Sequence, residues 1–247
     1  MAERMQYHKL EVNPQHPALK VFVDSVPFRF KQGEGELIYR GRNELRRMEY
    51  AGHSYVVKSF RRPNFINRLV YGRLRPSKAQ RAYQNGLELL RIGVPNPLPI
   101  GYVEERAGLL FDKSFLITEL STCPYTWNDL FFQSFSCTEQ VARAVGRLTA
   151  QLHEHGLAHL DYGRGNILFA VEDSGVRLEL VDLNRMHHGP IDMKQGCKNL
   201  ERLPATPEMH RWIAEEYAEA RGFIADECFR LMQAYRSTQP GKIDDKY

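Results

Sequence analysis

The sequence predicts an α+β chain of two lobes, a small antiparallel β lobe over residues 1–120 and a mainly helical lobe over 121–247. Three observations carry this expectation. Short alternating strands crowd the first half, while capped, amphipathic stretches fill the second. A lysine, Lys58, closes an apolar strand in the first half. In the second half, His159-Leu160-Asp161-Tyr162-Gly163-Arg164-Gly165-Asn166 runs into an apolar strand, a turn and a returning strand that ends at Val181-Asp182.

The β lobe begins without clear period. Over residues 1–35, Val21, Val23, Val26 and Phe28 hint at a short strand. Leu37-Ile38-Tyr39, the charged run after Asn43, and Tyr55 to Phe60 read as a three-strand meander. The first turn, Gly41-Arg42-Asn43, has a single glycine and is a weak phosphate-loop signal. Pro76-Ser77 opens a helix that runs to Ile92 and stops at Gly93. Val94-Pro95-Asn96-Pro97 reads as a linker, since its prolines cannot continue a helix. Ile100–Val103 and Ser114–Glu119 read as two more strands. Thr118-Glu119-Leu120-Ser121 would connect the lobes, and backbone groups at Glu119 would meet a nucleotide base.

The helical lobe starts at Ser136-x-x-Glu139, a capping-box pattern. Val141, Val145, Leu148 and Leu152 then form one apolar face, and Gly156 ends the helix. Asp173-Ser174-Gly175 turns the hairpin after Asn166. Thr206 suits a helix N-cap and Pro207 the first helical position. The last ten residues look frayed.

H-x-D-x-x-x-x-N, a hairpin, then Asp is the order a kinase uses to hold a base and two metal ligands around a transferring phosphate. A hairpin of this length returns Asp182 beside Asn166, so two hard oxygen ligands meet, as Mg²⁺ requires. Asp161 lies in the loop before them, where it can face an incoming hydroxyl. The plainer alternative is that Asp161 and Asn166 are ordinary loop residues and His159 caps the preceding helix. Lys58 ends a V-V-K strand like the one that holds ATP phosphates in kinases; a lone strand lysine is otherwise an edge charge. His153, His155 and His159 form H-E-H-G-L-A-H, which is not H-E-x-x-H and argues against zinc.

Composition sets the outer bounds. The hydrophobic fraction is 43% and the charged fraction 26%, as in ordinary globular chains. Met1 to Gln6 lead into no apolar segment, which predicts no secretory signal. No apolar run approaches bilayer length. The four cysteines, Cys123, Cys137, Cys197 and Cys228, are scattered without a C-x-x-C pair, as suits a reducing cytoplasm. Net charge is +4, yet Tyr50 to Leu87 holds eight basic residues and no acidic one. Within it Arg61, Arg62, Arg68, Arg73 and Arg75 surround Ile66, Leu69, Val70 and Leu74 at helical spacing. Such a segment fits an anionic partner such as a membrane surface, or else a solvated face. It lacks any recognised nucleic-acid motif and has few aromatics placed for stacking.

Gly41-Arg42-Asn43-Glu44, Val57-Lys58-Ser59-Phe60, Asn64 to Arg68, Tyr71-Gly72, Ser77-Lys78-Ala79, Pro99 to Tyr102, Asp161 to Asn166 and Val181 to Met186 together resemble the lipopolysaccharide core kinases, the Kdo and heptose kinases, over roughly residues 35–235. The resemblance implies a bilobal protein-kinase-like fold and phosphoryl transfer from ATP, with Mg²⁺, to a sugar hydroxyl of a lipid A–core acceptor. It places the work at the cytoplasmic face of the inner membrane, with Arg61, Arg62, Arg68, Arg73 and Arg75 against the lipid. On this reading Asp161 takes the hydroxyl proton, Asn166 and Asp182 hold Mg²⁺, and Lys58 holds the phosphates. Arg164 would touch the transferred phosphate or the acceptor. The lysine's partner is Gln84, where the family pattern has glutamate, or Glu88 one turn on. Leu160 stands where many protein kinases have arginine, which argues against activation-loop control. Other readings keep the fold and change the acceptor to a small molecule of the choline or aminoglycoside type or to a protein. Another is a pseudokinase that only binds a partner.

Overall fold

The first unit of the chain is built on a six-stranded antiparallel sheet in the order β1-β5-β6-β4-β3-β2. Its strands are β1 (Gln6–Val12), β2 (Glu36–Arg40), β3 (Glu44–Tyr50), β4 (His53–Phe60), β5 (Pro99–Ala107) and β6 (Leu110–Glu119). The computed structural model describes residues 6–62, 75–107 and 110–237. By internal contacts the chain divides into two compact units, one of Met1–Arg91 with Pro97–Ser121 and one of Ile92–Asn96 with Thr122–Tyr247.

Residues 20–31 are not the short strand that Val21, Val23, Val26 and Phe28 hinted at. They form helix α1 (Lys20–Lys31) with Pro27 inside it. The apolar residues that matter are Phe22, Val23 and Val26, at helical rather than alternate spacing. All three are fully buried against Met48, Tyr55, Val57, Ile100, Val103, Phe115 and Ile117, whereas Val21 and Phe28 stay 71% and 67% exposed. Burying each such side chain is worth about 1.5–3 kcal/mol, enough to outweigh the weak helix preference of β-branched residues. A bulge between Pro99 and Gly101 in β5 lets Ile100 and Val103 share this face while Tyr102 points to the other.

The opposite face is covered by α2 (Lys78–Arg91). Ser77 caps it, its Oγ accepting from Gln80 N at 3.1 Å. Ala79 and Tyr83 on one side of α2 pack on Phe60 and Tyr102. Past its end, Ile92–Asn96 is not a free linker. Ile92 O accepts from Gln151 Nε2 at 2.7 Å and Pro95 O from Leu180 N at 3.0 Å, so the segment is fastened to the second unit.

The second unit is centred on two packed helices, α3 (Thr138–Glu154) and, after the short α4 (Met193–Asn199), α5 (Pro207–Arg221); α6 (Ala225–Ser237) follows. Gly146 makes the α3–α5 approach possible, because a Cβ there would stand 2.6 Å from Ile213 O. The capping box expected at Ser136 does not form. Cys137 is the N-cap, without a side-chain bond, and Glu139 pairs with Arg143 at 2.8 Å instead. Thr206 and Pro207 do cap α5, with Thr206 accepting from Met209 N. Small sheets fill the rest: β10 (Gly175–Leu180), β9 (Ile167–Glu172) and β7 (Tyr125–Thr126) in one, β11 (Met186–His188) and β8 (Leu157–His159) in the other. No helix among the described residues is long and apolar enough to cross a membrane.

Two buried histidines make this unit pH-sensitive. Burial pushes His153 and His210 from the ordinary 6.5 down to about 4. Because the folded values are depressed, their contribution to stability is complete above pH 6.5 and is lost as the pH falls toward 4. There the unfolded chain takes up protons that the folded one refuses. Each contributes up to about 1.4 kcal/mol per pH unit in that window. The thermal midpoint should therefore drop between pH about 7 and about 5, and His210→Gln should flatten the slope. An unchanged slope in that variant would remove His210 from the explanation.

Candidate active site

The loop from His159 to Asn166 is held at its His159 end by the β8–β11 pair, in which Met186 lies opposite His159, and at its Asn166 end by the β9–β10 hairpin. Leu160 N donates to Arg185 O at 2.9 Å, tying the loop to the stretch after Asp182. His159 is fully buried at the end of β8, and its ring joins the two halves of the site. Nδ1 accepts from the backbone N–H of Asp161 at 3.1 Å, so the proton sits on Nε2, which donates to Val181 O at 3.0 Å. Burial pushes its pKa down, keeping the ring neutral as this pattern needs. The helix-cap alternative for this histidine is therefore wrong; α3 ends at His155 and Gly156.

Asn166 donates through Nδ2 to Asp161 O at 2.8 Å, leaving Oδ1 as its acceptor atom. The hairpin registers Ile167 opposite Leu180, and Val181 N donates to Asn166 O at 3.0 Å. That bond continues the strand pairing up to the residue before Asp182. Asp182 adopts φ 60°, a conformation side-chain-bearing residues other than Asn and Asp rarely tolerate. Asn184 donates to its Oδ1. Asn166 and Asp182 thus offer hard oxygen donors, the type Mg²⁺ takes from protein while phosphates and water complete its shell. Among the described residues there is no group of three or more His, Cys, Asp or Glu placed for a metal.

The loop is anchored from below by buried side chains. The Tyr162 hydroxyl meets Thr149 Oγ1 at 2.9 Å, and burial pushes its pKa up. Asn199 Nδ2 donates to His159 O at 2.9 Å and its Oδ1 accepts from His153 Nε2 at 3.1 Å. His153 Nδ1 then accepts from the Tyr217 hydroxyl at 2.9 Å, to which Arg221 Nη1 donates at 3.1 Å. This network passes so close to α4 that only glycine fits at 196, since a Cβ would lie 1.9 Å from the Tyr217 hydroxyl. Arg164, half-buried, accepts through its backbone O from Asn128 N at 3.1 Å.

Two cations that the motif reading gave no role stand at Asp161. Arg185 Nη1 lies 3.6 Å from one carboxylate oxygen and Arg202 Nη1 lies 3.7 Å from the other. Arg185 was legible only as part of a motif; Arg202, far along the chain, left no signal at all.

In the first unit, Lys58 pairs across strands with Leu45 and Leu116, half-buried, its Nζ 5.3 Å from the Phe60 ring centre. On α2, Gln84 is exposed and Glu88 half-buried. In the Gly41-Arg42-Asn43 turn, Gly41 N donates to Asn43 O at 3.0 Å, and Asn43 Oδ1 accepts from Arg61 N at 3.2 Å. Glu119 is still in β6, opposite Tyr55, so the connection begins at Leu120 rather than Thr118. Arg61 and Arg75 are exposed, and Arg62 is paired with Asp112. Arg68 and Arg73 lie outside the described residues.

Residues 33–235 match the lipopolysaccharide kinase (Kdo/WaaP) family. The chain belongs to that family. It is 29% identical, over 147 residues, to a 3-deoxy-D-manno-octulosonic acid kinase of Pasteurella multocida (strain Pm70). That match covers 60% of this chain and 58% of the relative, a little over half its length. Among solved structures the fold is similar to WaaP in complex with acyl carrier protein, with TM-score 0.64, 20% identity, and 93% and 97% of the two chains covered. It is also similar to the Rio2 kinase of Chaetomium thermophilum in its ADP/Mg²⁺–phosphoaspartate complex, with TM-score 0.54, 15% identity, and 90% and 73% covered. The fold is therefore α+β and protein-kinase-like.

Proposed function

We propose that this family member transfers the γ-phosphoryl group of ATP to a sugar hydroxyl of the lipopolysaccharide inner core. The observation that carries the reading is the Asp161–Asn166–Asp182 arrangement. A half-exposed carboxylate is held through its own backbone by His159 and Asn166, and the hairpin carries Asp182 back to Asn166. Asp161 accepts the proton of the acceptor hydroxyl as its oxygen bonds to phosphorus and the bond to the β-phosphate oxygen breaks. Mg²⁺ at Asn166 and Asp182 would neutralise charge on the phosphates. Lys58 is assigned to the phosphates, steadied by Gln84 or Glu88, and the Gly41-Arg42-Asn43 turn and the backbone at Glu119 are assigned to the nucleotide. Arg164 is assigned to the transferred phosphate or to the acceptor. Incubation with ATP, Mg²⁺ and purified lipid A–core saccharides, with the new phosphate located by mass spectrometry, tests this. Phosphate found only on a protein or a small amino alcohol would overturn it.

The enzyme acts at the cytoplasmic face of the inner membrane, and the basic stretch holds it there. Each basic residue near an anionic surface is worth about 1 kcal/mol, fading beyond about a Debye length. Arg62 contributes least, since Asp112 already offsets it. Arg61→Glu, Arg68→Glu and Arg73→Glu together should abolish binding to anionic vesicles and transfer to a lipid-linked acceptor, and raised salt should mimic them. Survival of vesicle binding under both treatments would make the stretch a solvated face.

A further inference from the structure

Asp161 is met by guanidinium groups from two separate elements. Arg185 precedes β11, and Arg202 ends the 3-10 turn Leu200–Arg202 that follows α4. Their 3.6 and 3.7 Å approaches, to different carboxylate oxygens, are longer than N–H···O hydrogen bonds. The side chains remain 53% and 51% exposed, beside a carboxylate that is itself 41% exposed. Pairs of this kind add little to stability, so folding does not explain why both cations are here. Two guanidinium groups thus stand at the two oxygens of one carboxylate. Each guanidinium keeps a planar fork of donors of the shape that binds a carboxylate in bidentate fashion. On the phosphotransferase reading proposed above, the nucleotide phosphates are assigned to Lys58, Asn166 and Asp182. Arg185 and Arg202 gather instead where the accepting hydroxyl must arrive.

We propose that Arg185 and Arg202 form a clamp for the carboxylate of an acidic acceptor sugar, seating it so that its hydroxyl meets Asp161. The inference rests on the phosphotransferase reading above and narrows it, selecting an ulosonic acid over a neutral heptose. The clamp also gives the arginines a reason to stand close to Asp161 without bonding it tightly. On arrival the sugar carboxylate takes over the guanidinium forks, and the base is left facing the hydroxyl.

The test compares the methyl glycoside of 3-deoxy-D-manno-octulosonic acid with the same sugar carrying a carboxamide. The wild-type protein should use the acid roughly 10–100-fold better in kcat/KM, mainly through KM, as the loss of charge-assisted hydrogen bonds implies. Arg185→Gln and Arg202→Gln should each erode that preference, and Arg202→Lys should restore part of it. A merely structural role would lower both substrates equally and leave the ratio intact, and that result would overturn the clamp. So would a pair of arginines acting on the transferred phosphate. If neither sugar is phosphorylated, the reading of the acceptor class fails, and calorimetry without ATP then decides the clamp separately. Tighter binding of the acid that is lost in Arg202→Gln upholds it; equal binding of the two sugars overturns it.

Discussion

Asp161→Ala should lower phosphoryl transfer by about 10²–10⁴-fold while leaving the fold and ATP affinity close to wild type. The expectation of an intact fold comes from how residue 161 is held. Its structural bonds are backbone ones: its N–H reaches His159 Nδ1, and its carbonyl accepts from Asn166 Nδ2 and Gly163 N. None of these needs the carboxylate. The side chain is 41% exposed and its two ion pairs are long, so truncation opens no cavity and removes little stabilisation. The loss should appear in kcat, with nucleotide binding measured separately by calorimetry. Wild-type turnover in this variant would remove Asp161 from the mechanism and with it the centre of the kinase reading.

Asp182→Asn should cost Mg²⁺-dependent ATP binding at least the roughly 10–100-fold that losing even an outer-shell partner costs a metal site, with turnover falling further. Asparagine is the informative substitution. It tolerates the φ of 60° and can still accept from Asn184, so charge is the main thing removed. Asp182→Ala would add about 1–2 kcal/mol of backbone strain at the same position, confusing loss of metal with loss of stability. The two variants should therefore differ in thermal midpoint and agree in their Mg²⁺ response. Nucleotide binding that ignores both Mg²⁺ and the Asp182 charge would separate this residue from any metal role.

The other basic side chains at the site show where local pattern stops being informative. Arg164 sits inside the catalytic-loop motif and was singled out for that reason, and its backbone is bonded to Asn128. Arg202 lies in no motif, yet its guanidinium stands at the carboxylate of Asp161. Arg185 was visible as a letter in the run Asp182 to Met186, but nothing in the run says that its side chain turns back toward residue 161.

The sequence by itself determined what depends on neighbours a few residues apart. Alternation and the Asp173-Ser174-Gly175 turn settled the β9–β10 hairpin, and hairpin length alone returns Asp182 toward Asn166. Ser77 ahead of α2, and Thr206 with Pro207 at α5, marked helix starts because capping is a matter of adjacent backbone donors. Only the tertiary structure decided the rest. Val21 to Phe28 hinted at a short strand, and the sheet face that buries Phe22, Val23 and Val26 made the segment a helix instead. Ser136 had the letters of a cap, and the chain began its helix one residue later, with Cys137 as its N-cap. Val94-Pro95-Asn96-Pro97 looked like a linker because prolines forbid helix, yet the Pro95 carbonyl was claimed by Leu180, and that of Ile92 just before it by Gln151. The support of His159 by Asn199, His153 and Tyr217, and the pairing of Asp161 with Arg202, join residues that periodicity and capping cannot relate, because those contacts exist only once distant elements have packed.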